Sequence, residues 1–275
     1  MNKFVSIIMP VFNGEKFIRF AIESVINQTY RDFEFIIIND ASTDNTKSII
    51  EEYIDSDNRI KIITNDENIK IVRSINIGLK HAKGEFIARI DSDDIWEKDK
   101  LEQQIKYLSQ NPSLHLLGTS KIIIDENGNI MKSNEKKIYN YKDIKKNILK
   151  YNLFCHSSVI FKKSLTDSIG YYNEVYKNSE DYEYWIRIIT LYESEILPDI
   201  LVRYRISPQM VSLKNRKQQN RYVIKAKIEA FKLMGFSIKY IPYLVGDFYR
   251  ICVPDFLIKF KKNLKKSVFT NSKKN

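Results

Sequence analysis

The N-terminal hundred residues predict an α/β fold with a mainly parallel sheet flanked by helices. Short apolar runs alternate with segments whose apolar residues recur at helical spacing. The connections between them are short, which favours parallel strands joined by right-handed crossovers. One apolar run, Phe86 to Ile90, stops at Asp91-Ser92-Asp93-Asp94. Because ligands of open α/β sheets bind where the strands end, we expect these carboxylates at a binding edge.

The elements follow in order along the chain. In the first part the predicted strands are 4–11, 33–38, 59–63 and 86–90. The helices between them are predicted at 15–28, from Asp44 to Tyr53, and at 71–82, with Gly84 as the residue that stops the third. Further on, helices are predicted at 98–110, 141–150 and 180–192, and beyond residue 214. The later strands are predicted at 114–121, 122–124, 130–131 after a hairpin turn, 157–161 and 201–206.

Composition limits the class of protein. The chain has 275 residues, 43% hydrophobic and 29% charged, as expected of a soluble globular protein with an ample core. Cys155 and Cys252 are far apart and show neither metal-ligand spacing nor a disulfide framework, so a reducing cytoplasm is expected. The first apolar stretch is short and lacks a cleavage site, so no signal peptide is expected.

Positive charge is concentrated at the C-terminal end. Residues 202–275 contain 18 Lys and Arg against 3 Asp and Glu, a net charge of +15, whereas the rest of the chain carries −4. Such a segment favours anionic partners, either lipid headgroups or nucleic acid. The apolar residues within 236–260 are interrupted by charges and prolines, so a membrane-spanning helix is not expected. We expect residues 236–275 to lie on an anionic membrane surface; the alternative is a helix packed on the body of the protein or on a second subunit.

The aspartate cluster suggests metal chemistry. Asp91 and Asp93, two residues apart, could share one Mg²⁺ or Mn²⁺, since hard cations prefer carboxylate oxygens. Alternatively, Asp93 or Asp94 caps the helix that follows.

Two further acidic positions have both a functional and a structural interpretation. Asp40 ends the second strand, on the same edge, where it could accept a hydrogen bond from the imide N–H of uracil or thymine. Alternatively, it organises the turn containing Ser42 and Asp44. Glu180-Asp181 opens a helix, where a carboxylate with a tuned pKa could act as a general base, or could simply favour the helix dipole.

Basic side chains are the remaining candidates. Arg73, on the helix that begins near Ile71, could reach a pyrophosphate; alternatively, it lies on a solvated helix face. His156 could contact phosphate or acceptor, or could be a structural histidine.

Taken together, these stretches resemble family 2 glycosyltransferases with the GT-A fold. The resemblance covers residues 3–205 and is carried by Val5 to Asn13, Asn39 to Asp44, Asn76 to Leu79, Ala82 to Glu85, Asp91 to Asp94, and Glu180 to Trp185. Asn39 and Ala41 depart from the pattern, since Asp and Gly are frequent at these places, and this leaves Asp40 in position but puts the geometry of the turn in doubt.

The resemblance implies roles for individual residues. Asp40 would bind the nucleotide base, Asp91 the ribose or the metal through water, and Asp93 a Mn²⁺ or Mg²⁺ ion bridging the diphosphate. Asp181 would deprotonate the acceptor hydroxyl. The residues implied to line the nucleotide-sugar pocket are Pro10, Phe12, Asn13, Arg73 and Ser92. The possible acceptor or phosphate contacts are Glu180, Trp185 and His156.

The same resemblance implies a function and a domain organisation. We expect an inverting transferase that moves one sugar from a nucleotide-sugar, with uridine as the expected base, to a glycan or lipid-linked acceptor in cell-surface polysaccharide synthesis. Gln218 to Tyr222 is similar to a motif of processive synthases, but no transmembrane helices accompany it. The catalytic domain would span 1–212, with a donor half at 1–96 and an acceptor half at 97–212, followed by a basic helical extension at 213–275. The location expected is the cytoplasm, at the inner face of the cell membrane.

Two other classes of protein were considered. A nucleotidylyltransferase would need a glycine-rich basic loop after the first strand, where only Gly14 occurs. A nucleic-acid-binding protein would explain the basic tail but not the acidic edge, because clustered carboxylates repel phosphate. Nucleic acid is therefore not an expected partner. The sequence gives no indication of the oligomeric state.

Overall fold

The computed structural model describes residues 3–133, 139–207, 216–235 and 238–252. Its strands are β1 (Val5–Val11), β2 (Phe33–Asn39), β3 (Ile60–Thr64), β4 (Phe86–Arg89), β5 (Ile95–Trp96), β6 (Leu114–Ile124), β7 (Ile130–Ser133), β8 (Ile160–Lys162) and β9 (Glu193–Arg205). Its helices are α1 (Ile18–Ile26), α2 (Thr46–Ile54), α3 (Ile71–His81), α4 (Lys100–Gln110), α5 (Tyr141–Asn147), α6 (Leu165–Ser168), α7 (Glu180–Leu191), α8 (Arg216–Met234) and α9 (Ile241–Cys252). Short 3-10 turns cover His156–Ser158 and Ile238–Tyr240.

One sheet runs through the described part of the chain in the order β3-β2-β1-β4-β8-β6-β9-β5, and β7 pairs with β6. The strands β3, β2, β1 and β4 are mutually parallel, which confirms the predicted parallel half. β8 then pairs antiparallel with both β4 and β6. The change of direction joins the parallel half to the second half of the chain.

The sheet is covered by helices on both faces. β1 and β2 are buried over their whole length, as expected of central parallel strands. Successive side chains point to opposite faces: Ile8 and Ile36 pack in a core with α3, α7 and α8. Ile7 and Phe35 pack in a second core with α1, α2 and α4. The α/β fold class predicted from the sequence is therefore correct.

Several element predictions were wrong in detail. Residues 114–124 form one irregular strand rather than two. β9 begins at Glu193, well before the predicted residue 201, because a shift in its register with β6 accommodates Pro198 within the strand. β5 was not predicted, since two residues are too short to show a period.

Gly84 does not stop α3, as the sequence suggested. The helix ends at His81, and Ala82 is already extended. Gly84 is required by a close approach of backbone, because a Cβ there would lie 2.4 Å from the Ser6 backbone nitrogen.

The C-terminal helices pack on the body of the protein. Ala226, Ala230 and Phe231 of α8 are buried in the same core as α7. α9 is joined to α8 by an ion pair between Lys227 and Asp247, both almost fully buried. The expected helical structure is present in α8 and α9, while the most lysine-rich residues of the predicted membrane segment lie outside the described residues. Within the described ranges, no helix has the length and apolarity needed to cross a bilayer.

Candidate functional site

Three loops meet where the parallel strands end. β1 leads to Phe12 and Asn13, β2 to Asp40, and β4 to Asp91. The Asn13 backbone N–H donates to Ser42 Oγ (3.0 Å), and Asn13 Oδ1 accepts from the Thr43 N–H (2.8 Å). Asn13 holds this position with φ of 50°, a left-handed conformation that asparagine tolerates.

Residues of the first and third loops are also close to each other. A Cβ added to Gly14 would lie 3.4 Å from Ser92 Oγ, so the turn after β1 lies against the aspartate loop. Pro10 is buried within β1, whereas the Phe12 side chain is about half exposed beside this turn. The residues predicted to line a nucleotide pocket from β1 therefore lie at the same edge as Asp40 and Asp91.

Asp40 is buried and holds the segment leading into α3. Its Oδ1 accepts from Asn65 Nδ2 (2.8 Å) and the Ile69 N–H (3.0 Å), and its Oδ2 accepts from the Lys70 N–H (2.9 Å). The turn predicted as its alternative role is instead organised by Asn39, whose Oδ1 accepts from the Ser42 N–H (3.1 Å). The base-binding role of Asp40 stays a prediction.

The aspartate loop is anchored by residues from distant parts of the chain. Arg89, buried at the end of β4, donates from Nη2 to Asp91 Oδ1 (2.6 Å). The Asp91 N–H donates to Ser157 Oγ (2.9 Å), and this hydroxyl in turn donates to Asp94. Asp94 is fully buried and its Oδ1 accepts from the Arg205 N–H (2.8 Å). Asp94 therefore has a structural role.

The helix-cap alternative for this loop is wrong. α4 begins at Lys100, after β5, so neither Asp93 nor Asp94 lies at its N-terminus. The Asp93 carboxylate is partly exposed at the loop surface.

The carboxylates of the loop have different pKa values for identifiable reasons. Burial would raise the pKa of Asp91, but the Arg89 guanidinium outweighs it and holds the pKa below its ordinary value. Burial, followed by the negative charge of Asp91, raises the pKa of Asp93 to about 6. The pair thus concentrates negative charge that a cation would neutralise.

A second acidic pair comes from the start of α7. Asp181 Oδ2 accepts from Asn152 Nδ2 (2.8 Å), and its Oδ1 accepts from the Tyr182 N–H (2.7 Å). Burial raises the pKa of Asp181 to about 6, with a further contribution from the charge of Asp91. Since the charges of Asp91 and Arg89 both act on Asp181, the structure brings together residues that are 90 positions apart in sequence.

Glu180, the residue before Asp181, differs from it in hydrogen bonding and in protonation. It is buried, and one of its oxygens, Oε2, has no hydrogen-bond partner. Burial, followed by the charge of Asp181, raises its pKa to about 8, so Glu180 is mostly protonated at neutral pH. Asp181 is therefore better suited than Glu180 to accept a proton.

His156 and Trp185 lie beneath the acidic groups. His156 Nε2 is 3.2 Å from the Tyr172 hydroxyl, and burial, followed by the charge of Arg89, lowers the pKa of His156 to about 3. Its ring meets Trp185 edge-on with centroids 5.8 Å apart. Trp185 is fully buried in the aromatic core. These surroundings favour structural roles, and acceptor or phosphate contact by either residue stays a prediction.

Arg73 lies on the outer side of α3. Its Nε donates to Glu174 Oε2 (2.6 Å), and both side chains are largely exposed. It lines a cavity of about 730 Å³ together with Ile69, whose N–H binds Asp40. The structure thus gives Arg73 an acidic partner of its own, and its role beside the nucleotide stays a prediction.

The sequence analysis missed Arg89, Asn152, Ser157 and Arg205 as residues that organise the site. Arg89 had a detectable signal, because an arginine inside an apolar strand must find a counter-charge when it is buried. The role of Ser157 was missed because the sequence predicted a strand at 157–161, where the structure has a 3-10 turn followed by β8. Asn152 and Arg205 had no local signal.

Together, the half-parallel sheet and the acidic groups at its edge define a GT-A-type α/β transferase. The Glycosyl transferase family 2 domain matches residues 6–170, and the chain belongs to this family. It is 38% identical over 221 residues to the uncharacterized glycosyltransferase MJ1057 of Methanocaldococcus jannaschii, covering 79% of this chain and 76% of that protein. The protein is therefore a glycosyltransferase.

A second relative agrees with this assignment, and two solved structures share the fold. The chain is 33% identical to the Escherichia coli UDP-Glc:alpha-D-GlcNAc-diphosphoundecaprenol beta-1,3-glucosyltransferase WfgD, over 79% of this chain and 83% of that protein. The crystal structure of S. aureus TarS 1-349 in complex with UDP-GlcNAc has a TM-score of 0.67 and 20% identity, covering 90% of this chain and 79% of that one. The mannosyltransferase PcManGT from Pyrobaculum calidifontis, in complex with GDP-Man and Mn2+, also has a TM-score of 0.67, with 17% identity and coverage of 90% and 69%. The solved structures support the GT-A fold.

Proposed function

We propose that the protein is an inverting, metal-dependent, non-processive glycosyltransferase. It would move one sugar from a nucleotide-sugar to a hydroxyl of a glycan or lipid-linked acceptor in cell-surface polysaccharide synthesis. The observation that carries the proposal is that Asp91, after β4, and Asp181, at the start of α7, lie close enough for the charge of Asp91 to raise the pKa of Asp181. These carboxylates would serve the donor side and the acceptor side of one site.

On the nucleotide-sugar side of the site, the carboxylate oxygens of Asp91 and Asp93 are ligands of the kind that a divalent cation prefers. Asp93 is partly exposed, and its pKa is raised by burial and by Asp91, so a cation there would relieve the repulsion between the two carboxylates. Among the described residues, no group of three or more His, Cys, Asp or Glu is placed to hold a metal ion by itself. Mg²⁺ is usually bound by one or two carboxylates together with substrate phosphates, and Asp91 and Asp93 would supply such carboxylates. A bound cation would supply charge stabilisation for the departing diphosphate.

The acceptor side fits general-base catalysis. The Asp181 carboxylate is held by Asn152 and by the Tyr182 N–H, and its pKa of about 6 keeps it ionised at neutral pH while making it a stronger base than an ordinary aspartate. Proton removal from the acceptor hydroxyl by this carboxylate would allow attack on the anomeric carbon opposite the leaving diphosphate. A single displacement of this kind inverts the anomeric centre.

The identity of the donor and acceptor follows from the relatives by analogy. WfgD is named for a UDP-glucose donor and a diphosphoundecaprenol-linked acceptor. We infer a uridine nucleotide and a hydroxyl of a growing surface glycan, with location at the inner face of the membrane. The chain belongs to a glycosyltransferase family, which argues against the nucleotidylyltransferase and nucleic-acid alternatives.

Thermal unfolding tests the donor site directly. Wild type, Asp93→Ala and a control, Asp167→Ala on the exposed side of α6, are unfolded with Mn²⁺ and a panel of nucleoside diphosphates and nucleotide-sugars. Ligand at 100-fold excess over Kd stabilises the folded state by about 2.7 kcal/mol. We expect a metal-dependent shift with one nucleotide in wild type and control, and its loss in Asp93→Ala. The absence of a shift with every nucleotide, or equal shifts in all three proteins, would refute the donor site.

A further inference from the structure

α9 and the 3-10 turn before it have two apolar faces, and only one of them packs against other described residues. Tyr240, Tyr243 and Leu244 pack against the core shared with α7 and α8, and Asp247, one turn further along, pairs with Lys227 at 2.5 Å. These positions recur every three or four residues and form the inner face of the helix.

The opposite side carries a second stripe at the same spacing. We call it the outer stripe; it consists of Ile238, Ile241, Val245, Phe248 and Tyr249. All five are exposed, with Val245 at 59% and Phe248 at 53%. Exposed apolar residues scattered singly are ordinary, whereas a contiguous stripe marks an interaction surface.

The charge of the sequence that contains the stripe favours one partner. Residues 238–275 contain nine Lys and Arg against two Asp, a net charge of +7, and seven of the lysines lie between positions 259 and 274. A second copy of the chain would bring the same positive charge to the contact, which disfavours self-association through this surface. Anionic lipid headgroups attract basic residues near the membrane surface.

We propose that the outer stripe of α9 docks on an anionic lipid bilayer. The apolar side chains insert at the level of the headgroups, and the basic residues that follow α9 in the sequence bind lipid phosphates. The buried Lys227–Asp247 pair fixes which side of α9 faces outward.

Docking at this place has a consequence for catalysis. Lys150 Nζ lies 5.7 Å from the centroid of the Tyr243 ring, and Asn152, two residues further on, donates to Asp181. α9 thus contacts the segment that holds the candidate base. A lipid-anchored acceptor would be delivered next to that segment, a consequence that rests on the proposed function, whereas docking itself does not.

Vesicle co-sedimentation of the full chain tests the proposal. The vesicles are either pure phosphatidylcholine or a mixture with phosphatidylglycerol, at low and high salt. The test variant is Val245→Glu/Phe248→Glu. Its control is Ile130→Glu/Met131→Glu, which places the same charges on exposed apolar residues of β7. We expect wild type and control to bind the anionic vesicles only, and the test variant to bind at least about tenfold more weakly.

Three results would overturn the proposal. They are no binding of wild type to anionic vesicles, equal binding of the test variant and the control, or a wild-type dimer that the test variant converts to monomer in light scattering. The substituted side chains are exposed, so an unchanged unfolding temperature verifies that the variants are folded. The nucleotide-dependent shift is measured without lipid. A wild type that binds anionic vesicles but shows no shift would refute the donor site alone, whereas a wild type that shows the shift but does not bind the vesicles would refute docking alone.

Discussion

The substitution Asp181→Asn replaces the candidate base by an amide of nearly the same shape. The side chain sits between two donors, Asn152 Nδ2 at 2.8 Å and the Tyr182 N–H at 2.7 Å. An amide retains one acceptor oxygen, so one of these hydrogen bonds is lost at a cost of about 1 kcal/mol. Removal of a carboxylate whose pKa is raised by burial offsets part of this cost at neutral pH, so the free energy of unfolding should change little. The variant is therefore expected to fold and to bind the donor.

The catalytic effect is expected to be much larger. A positioned general base contributes about 10²–10⁴ in rate, which corresponds to about 2.7–5.4 kcal/mol of activation free energy. Because the pKa of Asp181 is about 6, the wild-type rate should fall as the pH is lowered through about 6, where the carboxyl becomes protonated and can no longer accept a proton. The residual rate of Asp181→Asn should lack this acid limb.

Glu180→Gln is the matched control for this experiment. With a pKa of about 8, Glu180 is mostly a neutral acid at neutral pH, and glutamine keeps its charge and size. We expect less than about a tenfold loss in kcat for this variant. Sugar transfer and the nucleotide-dependent thermal shift are measured for both proteins. A kcat of Asp181→Asn within tenfold of wild type, or a loss explained entirely by weaker donor binding, would refute the assignment of the base.

Three further predictions concern the free energy of unfolding. Asp93→Asn should stabilise the ligand-free protein by about 1–2 kcal/mol, after allowance for partial exposure of the side chain. The gain should increase as the pH rises from about 4 to about 7, because a carboxyl whose pKa is raised by folding costs stability once it ionises. Thermal unfolding across this pH range measures the gain, and a gain that does not depend on pH would contradict this explanation. Gly84→Ala places a Cβ 2.4 Å from the Ser6 nitrogen and should cost about 1–3 kcal/mol in urea unfolding, whereas an unchanged midpoint would show that the backbone gives way. Asp247→Asn removes the charge facing the buried Lys227 ammonium and should lower the free energy of unfolding by about 3–5 kcal/mol. The double variant Lys227→Met/Asp247→Leu should recover most of this stability. Equal losses of stability in the two variants would show that packing rather than charge is responsible.

The sequence alone determined the parallel half of the sheet. Its strands are short runs that are buried on both faces in β1, β2 and β4, and each strand is separated from the next by a helix with one apolar stripe. These are local patterns, so they can be recognised without knowing which strands and helices lie next to them in the fold. The position of Asp91 and Asp93 follows from them, because a strand that ends in carboxylates delivers those carboxylates to the sheet edge.

The strands of the second half were harder to predict from the sequence, because they form only through pairing with other strands. β9 contains Pro198, which argues against a strand in isolation, yet its register shift against β6 accommodates it. β5 has two residues and forms through its pairing with β9. Neither β5 nor β9 can therefore be recognised from its own residues, because each depends on its partner strand.

The site shows the same division. The sequence identified the acidic groups, since carboxylates at strand and helix ends are conspicuous. Only the tertiary structure decided their chemical states: it places Arg89 beside Asp91, leaves Asp181 with a pKa of about 6 and buries Glu180 until its pKa reaches about 8. It also decided that Asp40 binds the backbone leading into α3. The physical reason is that a pKa depends on burial and on the position of nearby charged groups, and both are set only when the chain folds.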